Sequence, residues 1–158
     1  MVISTSTNTE HLSIEISDSQ NAIPPLYLQI SVSEFSPVEF VLRTTADIEN
    51  SSVDHTVSLH SHCLVEFASA TELVLAGRSK SSLLSDVDGN FTLCLTRPDP
   101  AMSQLVVSGK CNLRGPFGGS GVDTQLCAFS FEGVESNIQY LRQMVDVIRV
   151  FVTNSGAG

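Results

Sequence analysis

Val134–Val152 reads VESNIQYLRQMVDVIRVFV, and its spacing governs what the rest of the chain must supply. Val134, Ile138, Leu141, Val145, Ile148 and Val152 recur every three or four residues, the period of an α-helix. Tyr140, Met144, Val147 and Phe151 form an adjacent stripe that widens the apolar face. Ser136 followed by Gln139 has the form of a capping box, in which each side chain satisfies a backbone N–H at the helix start. More than half the circumference is apolar, so the helix needs a sheet to cover, and its second stripe is a candidate contact for a partner or another subunit.

Working back along the chain, the segments before this helix supply that sheet. Phe91, Leu93 and Leu95 alternate with Thr92, Cys94 and Thr96, the period of a half-buried strand over Asn90–Arg97. Leu105, Val107, Cys111 and Leu113 share one face of the next strand, and Cys127, Phe129 and Phe131 one face of the last. Nearer the N-terminus, His11–Ser17 and Leu26–Ser33 alternate in the same way, and Val38–Thr44 and Asp54–Leu59 add two further strands. Between the two groups, Leu64, Phe67, Ala68, Thr71, Val74 and Leu75 recur at helical spacing, with Gly77 as a stop. The expected fold class is α+β: a mostly antiparallel sheet, a meander in its second half, packed against a C-terminal amphipathic helix, with one further helix near 63–77. The expected organisation is a flexible N-terminus over 1–10, a single domain over 11–153 and a flexible C-terminus over 154–158.

The chain has 158 residues, 42% of them hydrophobic and 16% charged, which suits one packed core rather than disorder. Seventeen acidic residues against eight basic ones give a formal charge of −9. Direct binding to a phosphate backbone needs clustered Lys and Arg, so nucleic acid is not an expected partner. Met1–Glu10 has neither a basic nor an apolar signal region, and no run is long enough to span a bilayer, so no membrane partner and a cytoplasmic location are expected. Cys63, Cys94, Cys111 and Cys127 are widely separated in apolar segments and read as reduced packing residues.

Three motifs invite chemistry. His55, His60 and His62, with Cys63, form the nearest thing to a ligand cluster, His60 and His62 falling on one face if the strand continues through them; with no second set of ligands, no metal is assigned. Asp86-Val87-Asp88-Gly89-Asn90 resembles the start of a calcium loop, but aligning Gly89 at its glycine position puts Leu84 and Leu95 where oxygen ligands belong. It reads as a turn. The glycines of Arg114–Val122 match neither a phosphate-binding loop nor a nucleophile elbow, so Phe117, Gly118 and Gly119 are read as a connecting loop and a candidate contact. No catalytic residue and no cofactor is assigned.

The order of elements over Val65–Gly77, Asn90–Arg97, Gln104–Leu113, Thr124–Glu132 and the helix from Ile138 resembles that of the WapI-type bacterial immunity proteins. That resemblance implies a cytoplasmic, non-catalytic protein that neutralises a cognate toxin by stoichiometric binding, its acidic surface occupying a basic toxin domain. Two other classes stand beside it. A self-associating scaffold or regulatory domain would use the stripe Tyr140, Met144, Val147 and Phe151, and a small enzyme or ligand carrier would gather His55, His60 and His62 in a pocket.

Overall fold

The computed structural model describes residues 2–8, 11–18, 26–34, 39–48, 51–87, 89, 91–99, 104–114, 124–133 and 138–154. In chain order these form β1 (Val2–Thr7), β2 (His11–Asp18), β3 (Leu26–Glu34), β4 (Glu39–Ile48), β5 (Ser51–His60), α1 (Ser61–Leu75), β6 (Ser81–Ser85), β7 (Phe91–Thr96), β8 (Leu105–Arg114), β9 (Thr124–Gly133) and α2 (Ile138–Asn154). The fold is α+β, as the periodicities require, but its strands make two antiparallel sheets rather than one. The first has the order β1-β2-β3-β4-β5 and the second β6-β7-β8-β9. Each sheet is a meander followed by a helix, so the chain runs twice through the same plan.

Alternation places the core. Leu12, Ile14 and Ile16 of β2 are buried, while Ser13 and Glu15 between them are partly exposed. On β7, Phe91, Leu93 and Leu95 are buried and Thr92, Cys94 and Thr96 are not. Registers carry these rows across each sheet: Ile14 pairs with Ile30, and Leu95 with Val107, which pairs in turn with Phe131. Burying a side chain of this size contributes about 1.5–3 kcal/mol.

Both helices lie in the same core. All six α1 residues read from helical spacing as inward-facing are buried, and α2 buries Leu141, Met144, Val145, Ile148, Phe151 and Val152. Ile16, Phe67, Leu93, Leu95, Val107, Leu141 and Met144 surround one small internal space, so both sheets and both helices meet there.

Three expectations change at this level. Val2–Thr7, counted with a flexible terminus because of its Ser and Thr, forms the edge strand β1, with Ile3 paired to Ile16 and only 4% exposed. Its Val, Ile and Thr are strand formers, and buried Ile3 lies between exposed Val2 and Ser4. Second, α1 begins at Ser61, directly after β5, so His60 is its N-cap and His62 lies in its first turn. The two histidines therefore do not share a strand face. Third, Met144 and Phe151 are 2% and 0% exposed inside the chain's own core. The stripe Tyr140, Met144, Val147 and Phe151 is thus largely spent on internal packing, and Tyr140 alone of the four is fully at the surface. The Ser136 side of the capping box and the loop of Phe117, Gly118 and Gly119 lie outside the described residues. Among the described residues, no helix is long and apolar enough to cross a membrane.

Candidate functional site

The C-terminal end of α1 organises the most distinctive surface of the molecule. The helix stops at a Schellman motif: the Gly77 N–H donates to Val74 O at 3.0 Å and the Arg78 N–H to Leu73 O at 2.8 Å. Gly77 makes this reversal at φ 72°, a conformation that costs a residue with a Cβ roughly 1–2 kcal/mol. The reversal sets Arg78 and then Lys80 at the helix end, where the macrodipole is negative.

Long-range contacts add more cations. Arg97, following β7, donates from Nη1 to Leu75 O at 3.2 Å, capping one of the last carbonyls of α1. Its backbone N–H donates to Lys80 O at 2.9 Å. From α2, Arg142 lines a groove of about 460 Å³ together with Glu72, Leu73, Leu75, Ala76, Arg78, Val145 and Asp146. Two helical turns further on, Arg149 forms a bidentate pair with Glu72, Nη1 to Oε1 at 2.5 Å and Nη2 to Oε2 at 2.7 Å. The Arg149 bond is the main reason the Glu72 carboxyl titrates below its ordinary range, and Glu72 in turn raises the Arg149 guanidinium.

Arg78 and Arg142 thus line the groove at this end of α1, while Arg97 is engaged in capping the helix and Arg149 in pairing with Glu72. Glu72 and Asp146 are the carboxylates of the groove itself. In an acidic protein the groove therefore brings two arginines beside two carboxylates, and the arginines are groups able to take up an anion. Only Arg78 and Lys80 announce it in the sequence, by following a helix stop; the others arrive from Arg97 and from α2, through contacts that no local spacing encodes.

The residues singled out earlier are placed elsewhere. The His60 and His62 rings stack with centroids 5.4 Å apart and planes 17° from parallel, and His62 Nε2 is 3.7 Å from Cys63 Sγ. Burial, then the nearby Glu66 carboxylate, pushes the Cys63 thiol up. His55 is on β5, opposite Thr44 in register. Among the described residues, no three His, Cys, Asp or Glu side chains form a metal-holding group. Asp86 turns the β6–β7 hairpin by accepting the Phe91 N–H on Oδ1 at 2.8 Å, with Gly89 at φ 70°.

Searched against protein families, the chain matches no family model, and no curated protein matches it. Solved structures do resemble it. One is a guide RNA-binding protein complex bound to a guide RNA, similar over 90% of this chain and 91% of that one, at 14% identity and a TM-score of 0.50. Another comes from structures of Trypanosoma brucei MRP1/MRP2, with 14% identity, 89% of this chain and 85% of that one covered, and a TM-score of 0.48.

At this identity the likeness shows the fold alone, and it still corrects two expectations. The toxin-neutralising role rested on the order of elements, and that order, over nine-tenths of the chain, is found in a protein from a guide RNA-binding complex. Element order therefore supports neither toxin neutralisation with its basic toxin partner nor the self-associating scaffold set beside it. The exclusion of nucleic acid rested on a net charge of −9, which overlooks how the cations are distributed. The structures found say nothing about the WapI-type family.

Proposed function

We propose that the protein binds single-stranded RNA, with the basic patch at the end of α1 taking the phosphates. The observation that carries this is that Arg78, just past the end of α1, and Arg142 of α2 line one groove, with Arg149 beside Glu72 of the same groove. The fold shared with a guide RNA-binding complex supports it. Phosphate contacts supply most of the sequence-independent affinity of such proteins, and the acidic surface elsewhere confines a polyanion to this patch.

The sheets fit the same ligand. Beside the buried rows, β1 and β2 expose Ser4, Ser6 and Ser13, and β7 carries Thr92 and Thr96 in partly exposed positions. Hydroxyls can donate to and accept from sugars and bases without adding charge. With few cations, affinity should sit near the micromolar end, about 10⁻⁶ M at low salt. The cytoplasmic location expected from the sequence belongs to this proposal, since it places the chain with its ligand.

The test is fluorescence anisotropy with a labelled unstructured RNA of some twenty nucleotides, at two salt concentrations. Arg78→Glu combined with Arg142→Glu should weaken binding about tenfold or more and flatten the salt dependence by roughly 0.7 per lost phosphate contact. Both residues are exposed, so the melting temperature should hold. Absence of binding by the native protein at low salt, or equal binding by the doubly reversed variant, would overturn the proposal.

A further inference from the structure

We infer that the Glu72–Arg149 pair is a latched phosphate position: a carboxylate occupies the place of a phosphate on Arg149 and is displaced when RNA enters the groove. This rests on the RNA-binding proposal. The geometry is the starting point. Arg149 presents both terminal nitrogens to the two oxygens of Glu72, a parallel fork that a phosphate group can accept equally well.

The pair is also accessible. The Arg149 and Glu72 side chains are 45% and 48% exposed, so solvent screens their attraction and a competing anion can reach both partners. Their position adds the decisive point. Glu72 lines the groove alongside Arg78 and Arg142, so the carboxylate that holds Arg149 faces the same groove as those two arginines. Arg142, Asp146 and Arg149 follow one another at four- and three-residue steps on α2, which puts them along one exposed face. Asp146 contributes to holding the charge on Arg149 and is the second carboxylate of this row.

A latch of this kind has a specific consequence. A single inorganic phosphate must displace Glu72 unaided, whereas an RNA strand already anchored on Arg78 and Arg142 delivers its phosphate at high local concentration. The site would therefore discriminate in favour of polyanions and against small ones. Removing the Glu72 charge should raise affinity for both, and for inorganic phosphate proportionally more.

The experiment compares Glu72→Gln with Glu66→Gln, an exposed α1 carboxylate that does not line the groove, using the same labelled RNA. Glu72→Gln should tighten binding about threefold or more and steepen the logarithmic salt dependence by roughly 0.7, the value of one added contact on a single strand. Glu66→Gln changes the net charge identically and should have less than half that effect. Arg149→Gln should weaken binding in the native background and erase the gain in the Glu72→Gln background. Equal effects of Glu72→Gln and Glu66→Gln, or a gain that survives Arg149→Gln, would overturn the latch while leaving RNA binding intact. Failure of the native protein and Glu72→Gln alike to bind RNA would overturn both proposals.

Discussion

The Thr71 and Ser82 hydroxyls meet at 2.9 Å inside the molecule, tying α1 to β6 just before the chain presents its cations. Thr71 is 0% and Ser82 3% exposed, so neither can turn to water if its partner is lost. Thr71→Val should therefore cost about 1–3 kcal/mol in chemical denaturation, through the stranded Ser82 hydroxyl. Adding Ser82→Ala should recover much of it, because two apolar groups of similar shape leave nothing unsatisfied. A double variant as unstable as the sum of the singles would show that the bond is not what matters there. At this scale the sequence is informative where the signal is local. Gly77 is readable as a helix stop, and Thr71 falls on the inner face of α1 by spacing alone. Glu72 and Arg149 are 77 positions apart, and nothing in the neighbourhood of either foretells their fork.

α2 shows what periodicity can and cannot settle about an element. Its length and its inner row are readable from Val134–Val152, but a stripe wider than half the circumference is compatible with deep burial or with a free contact face. The structure decides for burial, because α2 is covered by more than one neighbour: α1 lies beside it and the edge strand β1 against it. Met144→Glu is accordingly expected to destabilise the fold by at least about 3–5 kcal/mol, by placing a charge in a packed core. The check is a sharp fall in melting temperature. An unchanged melting temperature with a smaller mass in solution would instead mean that Met144 serves an interface. The strands behave similarly: alternation locates β2, β3 and β7 almost to the residue, yet it is silent on which strands share a sheet. The split into two sheets comes from α1, which interrupts the ladder after β5 and reopens it at β6, and the sequential order within each sheet follows from short connections between antiparallel neighbours.

For the whole molecule, net charge proved a poor guide because it sums over surfaces that a ligand never touches simultaneously. A formal −9 and a groove lined by two arginines coexist, since the fold brings together Arg78 and Arg142, which the sequence keeps far apart. Raising the salt concentration should thus weaken RNA binding despite the overall negative charge, and a rise in affinity with salt would show that repulsion dominates. The plan of meander and helix, run twice, has its two runs crossed at the core: α1, which follows the first sheet, packs mainly on β6 of the second, and α2, which follows the second, packs on β1 and β2 of the first. Among these contacts, β1 against α2 brings the opening element of the chain beside the closing one. The edge strand is therefore held by two different kinds of neighbour, a ladder partner in β2 and a helix face in α2, and loosening α2 leaves β1 with only the first.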